Sequence, residues 1–158
     1  MGLSLTSTAF EDGRSIPIEY TCDGADASPP LAWDGVPSGT KTLALIADDP
    51  DAPRGTWVHW VLYDIPAPLH GLPVNVTKTD RPKELGGAMQ GMTDFKRVGY
   101  GGPCPPPGPA HRYFFRLYAL AAPLALKPGA TKQDVERAMS GHVLATAQLM
   151  GTYARQRR

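Results

Sequence analysis

The chain has 158 residues, 42% apolar and 20% charged, enough for one domain with a real core. Sixteen Lys and Arg against fifteen Asp and Glu leave a net charge of +1, too small a field to favour nucleic acid as a partner. No apolar run is long enough to span a bilayer, and the opening MGLSLTSTAF lacks the pattern of a signal peptide, so the expected compartment is the cytoplasm.

Seventeen Gly and seventeen Pro predict many turns and argue against a helical bundle. Leu3 to Ala9 alternates as a first strand, and Ile16 to Thr21 is a second strand candidate, broken by Pro17. Residues 22–30, CDGADASPP, form a loop before a short strand at Leu31 to Trp33. Thr42 to Ala47 reads as strand and runs into the acids Asp48, Asp49 and Asp51. Pro50 and Pro53 cannot extend a ladder, so Asp49 to Arg54 is expected to be a rigid loop, with the isomer of the Ala52–Pro53 bond open.

Trp57 to Tyr63 is apolar on both faces and reads as a central strand. Strict alternation places Trp57, His59, Val61 and Tyr63 on one face and Val58, Trp60 and Leu62 on the other. An imidazole there is either a core histidine bonded to backbone or a functional group. Ile65 to Val76 and Thr77 to Phe95 are irregular, with at most a short strand in the second. Gly99 to Pro109, GYGGPCPPPGP, is too rich in Pro and Gly for helix or ladder and reads as the rigid wall of a pocket rather than an exposed polyproline ligand.

His111 to Leu120 is a strong strand. His111 and Tyr113 share a face and stand about 7 Å apart along it. Thr131 and Asp134 make a capping-box pattern that opens a helix running to Met139, and Ser140-Gly141 breaks it. His142 to Tyr153 reads as a second helix, with Val143, Leu144, Ala147 and Met150 inward, and Arg155, Arg157 and Arg158 complement its C-terminal dipole. His70 and His142 read as structural or solvated. Cys22 and Cys104 lack CxxC spacing, so free thiols are expected, a bridge or metal pair being the alternatives. Strands followed by terminal helices describe one β-rich α+β domain over residues 1–158.

Two histidines, an acidic loop, a tyrosine and a glycine–proline wall invite a common explanation. DPDAP at Asp49 to Pro53, Trp57-Val58-His59-Trp60, and GYGGPCPPPG leading into His111-Arg112-Tyr113 resemble the phosphatidylethanolamine-binding protein family, also called Raf kinase inhibitor-like. CDGADASPPLAW (residues 22–33), IPAP (65–68) and GHVLATAQLMGTY (141–153) are similar to its small bacterial and archaeal branch. The resemblance implies a β-sandwich-like fold with a large central sheet, a smaller sheet and C-terminal helices. It implies a ligand-binding protein with a surface pocket for phosphate-like groups, carboxylates or phospholipid headgroups. Carried over, that pocket holds Asp49, His59, His111 and Tyr113, walled by Gly102 and Pro103, with Asp51 orienting the loop. A homodimer or an unidentified protein partner is compatible with the branch. The kinase-inhibitor role does not transfer, because it needs eukaryotic partners. Thr93 and Lys96 depart from the family pattern of Asn and Gly and are expected to reshape the pocket lip.

The chemistry expected of these residues is anion binding without Lys or Arg and without a cofactor. Each neutral imidazole would offer one N–H, Tyr113 an O–H, and loop amides near Gly102 further donors. Asp49 beside His59 would raise the pKa of that ring and fix its tautomer. Binding would weaken as rising pH strips the histidines of protons. Two readings compete. Two His and a carboxylate can hold a metal, although no HxH or HxxxH spacing supports one. A His–Asp pair can serve a hydrolase, although Ser28, Ser38 and Ser140 carry no nucleophile elbow, and no reaction suggests itself.

Overall fold

The computed structural model describes residues 2–155. In chain order its elements are β1 (Ser4–Thr6), β2 (Leu31–Asp34), β3 (Thr42–Asp49), β4 (Trp57–Pro66), β5 (Gly71–Leu72), β6 (Met89–Gln90), β7 (His111–Leu120), α1 (Lys132–Met139) and β8 (Val143–Tyr153). Two antiparallel sheets result, one ordered β1-β2-β5 and the other β6-β4-β3-β7-β8.

The large sheet is covered on both faces, which is why β3 and β4 are apolar along most of their length. One face packs against the small sheet: Leu43, Leu45, Trp60, Leu62, Phe115 and Leu117 meet Leu5, Trp33 and Leu72. The other carries Ala44, Ile46, Val61 and Tyr63 under Val135 and Met139 of α1. Each fully buried side chain of this size contributes about 1.5–3 kcal/mol. The capping box of α1 is formed, with Thr131 and Asp134 exchanging side-chain-to-backbone bonds.

Several sequence-based expectations are corrected. The first strand shrinks to three residues. Ile16 to Thr21 is not a strand: Pro17, with φ fixed at −60°, leads into a 3₁₀ turn at Ile18–Tyr20. The domain has one C-terminal helix among the described residues, because strand β8 (Val143–Tyr153) stands where a second helix was expected over His142 to Tyr153. Its residues pair along the whole of β7, from His111↔Tyr153 to Leu120↔Val143. Ala145, Ala147, Leu149 and Tyr153 pack inward at period two. Helix-favouring Ala, Leu, Gln and Met lose here to a continuous ladder. Gly151 is required because a Cβ would lie 2.5 Å from Ile16 Cγ1, where residues 13–16 cross over the strand. Without that helix, Arg155 has no dipole to complement and instead pairs with Asp23 at 3.0 Å. Arg157 and Arg158 lie outside the described residues.

Cys22 and Cys104, expected as free thiols, form a disulfide. No cis peptide occurs among the described residues, so Ala52–Pro53 is trans.

Candidate functional site

β3 and β4 place the site through one irregularity. Ala47 pairs with Trp60 and Asp48 with Val58, which leaves His59 as the extra residue of a β-bulge. The bulge resets the alternation. His59 and Trp60 therefore turn toward the small-sheet face, while Val58, Val61 and Tyr63 face α1. Strict period two had grouped His59 with Val61 and Tyr63, and the structure separates them. The bulge is held by Asp94, whose Oδ2 accepts the Val58 N–H at 2.7 Å.

The adjacent carboxylates of β3 point to opposite faces. Asp48 is buried toward α1 between Arg116 at 3.0 Å and Lys132 at 2.7 Å. Asp49 is buried on the other side, where a cavity of about 310 Å³ opens. Its walls are Asp49, His59, His111 and Tyr113, with Ala52, Pro53, Trp57, Phe95, Cys104, Pro105 and Pro106. The structure thus brings together four of the seven site residues expected from sequence. The other three stand behind them. Gly102 donates its N–H to Asp26 Oδ1 at 2.8 Å, and the Pro103 carbonyl accepts the Cys22 N–H at 3.1 Å. They brace the wall, whose surface is Cys104 to Pro106. Asp51 receives both a backbone and a bidentate side-chain bond from Arg112, at 2.8–2.9 Å, and these hold its carboxyl down at about 2.

The partnership expected between Asp49 and His59 is also corrected. Asp49 Oδ2 lies 2.7 Å from Nδ1 of His111, and its Oδ1 accepts the Asp51 N–H at 2.8 Å. His59 Nδ1 instead lies 2.6 Å from the Gly101 carbonyl. An ionised carboxylate and a carbonyl can only accept, so both rings carry Nδ1–H and keep Nε2 for the cavity they line. The N–H groups expected to meet a ligand are thereby engaged within the protein. Burial pushes the pKa of His59 down, and the Gly101 bond and Asp49 only partly offset it. A neutral His59 therefore presents an acceptor.

Tyr113 supplies the complementary donor. Its ring packs edge-on against His59 at 5.2 Å and stacks on His111 at 6.4 Å. Its hydroxyl is buried with no hydrogen-bond partner among the described residues. Burial, then the charges of Asp49 and Asp51, push that hydroxyl well above its ordinary pKa, so it remains an O–H donor. A buried hydroxyl left unmatched costs about 1–3 kcal/mol, which marks a position where a ligand acceptor would be gained.

Sequence reasoning missed the aromatic side of the cavity. Trp57 is 39% exposed and meets Phe95 edge-on at 5.5 Å. Phe95 is presented by a turn in which Thr93 Oγ1 accepts the Phe95 N–H and donates to the Arg97 carbonyl. The two departures from the family pattern sit in this turn. Thr93 holds it closed, and Lys96 adopts φ +65°, a conformation that favours Gly. No periodicity signals such a turn. Among the described residues, no group of three or more His, Cys, Asp or Glu gathers as a metal site would require.

Comparison with known proteins agrees with the geometry. The profile described as phosphatidylethanolamine-binding protein matches residues 6–154. A UPF0098 protein of Methanothermobacter thermautotrophicus is 54% identical over 97% of this chain and 99% of its own length. The crystal structure of CT736 from Chlamydia trachomatis, a homologue of the same family, superposes with a TM-score of 0.89 at 40% identity, covering 98% of this chain and 99% of that one. YbcL of E. coli, described as a member of the mammalian PEBP family, superposes at 0.91 with 34% identity over 99% and 100% of the two chains. The two sheets, the cavity end of β3, β4 and β7, and these matches along nearly the whole chain lead to one conclusion: the chain belongs to the phosphatidylethanolamine-binding protein family.

Proposed function

We propose that the chain is a binding protein whose cavity takes a small phosphate-like anion that still carries a proton. The supporting observation is the pairing of the unpartnered Tyr113 hydroxyl with two imidazoles whose N–H groups are already engaged. Tyr113 donates to an anionic oxygen. Neutral His59 accepts from the ligand's own P–OH or from an attached ammonium. His111, backed by Asp49, accepts in its neutral form and donates Nε2–H when protonated. Phosphomonoesters and phosphoethanolamine-type headgroups fit this set, and a fully ionised carboxylate fits it less well. The surrounding Trp57, Phe95 and prolines exclude water and strengthen each bond. Anion binding weakens as pH rises, because the ligand loses the proton that His59 accepts.

The test is a titration of phosphate and phosphoethanolamine followed by NMR at pH about 6 and about 8. Saturable shifts in wild type, weaker at the higher pH and lost in His111→Ala, support the reading. Absent binding, or affinity unchanged between the two pH values, refutes it. Hydrolytic chemistry is less well supported, because among the described residues Tyr113 is the one hydroxyl-bearing residue lining the cavity and Cys104 is held in a disulfide. Among the described residues no helix is long and apolar enough to cross a membrane. Cytoplasmic residence, homodimer assembly and a regulatory role toward a protein partner belong to the same proposal. Thiol trapping in cells and solution mass measurement test the first two, and ligand-dependent capture of a partner tests the third.

A further inference from the structure

We propose that the Cys22–Cys104 bridge is a thiol-exchange site in the cavity wall, open to a dithiol reductant, whose state sets the shape of the cavity. The part of this inference that concerns ligand affinity rests on the binding function proposed above. Both cysteines are solvent-exposed, and Cys104, Pro105 and Pro106 line the cavity. Four of the seven residues from Cys104 to Ala110 are prolines without N–H groups. Among the described residues this segment makes no backbone–backbone hydrogen bond, so the bridge is its covalent anchor. The chain on either side is fixed independently: Tyr100 donates its hydroxyl to the Tyr20 carbonyl, Gly102 N–H bonds Asp26, and β7 begins at His111. Reduction therefore frees one wall and leaves the sheets in place.

Arg155 gives the exchange a direction. Its guanidinium lies 3.9 Å from Cys104 Sγ and is held by Asp23, the residue after Cys22. A thiolate of the dithiol attacks Cys22 Sγ. The S–S bond breaks, and its electron pair leaves on Cys104, where Arg155 stabilises the thiolate. The second thiol of the reductant then attacks the mixed disulfide. The reductant departs as its own disulfide, and Cys22 and Cys104 take up the two protons the dithiol released. Freed of the bridge, the wall loses the preorganisation that a ligand needs.

The test uses the oxidised full chain and dithiothreitol, with iodoacetamide trapping, intact mass and NMR of the His111 and Tyr113 rings. Expected are two alkylations while the far-ultraviolet dichroism remains native, together with displaced ring resonances. Phosphoethanolamine affinity should fall about tenfold. Arg155→Ala should slow reduction roughly threefold or more. A bridge that resists the dithiol until the chain unfolds, a chain that unfolds on reduction, or unmoved ring resonances would each overturn the proposal. An unchanged rate in Arg155→Ala overturns the assigned direction of attack. The ring readout needs no ligand, so failure of phosphoethanolamine to bind in either state refutes the binding function alone.

Discussion

Asp48 and Asp49 are neighbours on one strand, both buried, and they do opposite things. Asp48 faces α1 and is closed in by two cations, from β7 and from the first turn of the helix. Asp49 faces the small sheet, and its side-chain partner is an imidazole with a nitrogen left over for the cavity. The same side chain is thus a structural tie on one side of the sheet and part of a site on the other. What separates them is how completely each carboxylate is neutralised by its neighbours. A carboxylate between two cations has no further bonding to offer. One whose proton-bearing partner can also reach a ligand transmits its charge outward.

Substitution should split the pair cleanly. Asp48→Ala leaves Arg116 and Lys132 facing each other without an anion. It should cost about 2–3 kcal/mol, at the low end for buried pairs because both cations keep some exposure. Urea unfolding reads this loss, and phosphate affinity should stay near wild type. If Asp48→Ala instead abolishes binding at unchanged stability, the contrast is wrong. Asp49→Asn preserves shape and an acceptor for His111 but removes the charge. Stability should move by less than about 1 kcal/mol, while phosphate affinity falls about tenfold, the usual loss on removing such a supporting partner. Tyr113→Phe sharpens the contrast further by deleting one buried oxygen. Relieved of an unmatched hydroxyl, the variant should unfold at equal or slightly higher urea concentration, by up to about 1 kcal/mol. Its affinity should drop roughly three- to tenfold through one lost hydrogen bond. A clear destabilisation would mean that the hydroxyl already has a structural partner.

The residues of both regions were readable in the chain to very different degrees. β3, β4 and β7 announced themselves as apolar runs bounded by turn residues, and the acid loop, the histidines and the Pro-Gly wall stood out as unusual chemistry beside them. Period two could not reveal the bulge at His59, because a bulge is the violation of that period and arises from a partner strand not yet placed. The exchange of Asp49 from His59 to His111 follows from that same register. β8 was opaque for another reason: three of its inward residues, Ala145, Ala147 and Gly151, are small, and a Cβ at Gly151 would run into Ile16 and Phe10. Small residues at alternate positions look like helix until the ladder of β7 is present. The bridge between Cys22 and Cys104 joins residues 82 apart in sequence and needs the fold to bring them together.

The smallest expected effect concerns His59, which lies on the site side of the sheet yet behaves as a core residue toward protons. Burial lowers its folded-state pKa, whereas in the unfolded chain the ring titrates near its ordinary value of about 6.5. Between the folded and unfolded values the unfolded chain therefore binds more protons than the native one. Stability rises with pH across that window and is lost as pH falls below about 6.5. His59→Gln removes this contribution, so the difference in urea midpoint between wild type and variant should shift as pH is lowered from 7.5 through about 6.5 toward 5, with wild type losing more. Parallel curves would mean that His59 takes a proton readily in the native state. The ring would then be a donor rather than an acceptor, and the cavity would favour a fully ionised ligand over one that carries its own proton.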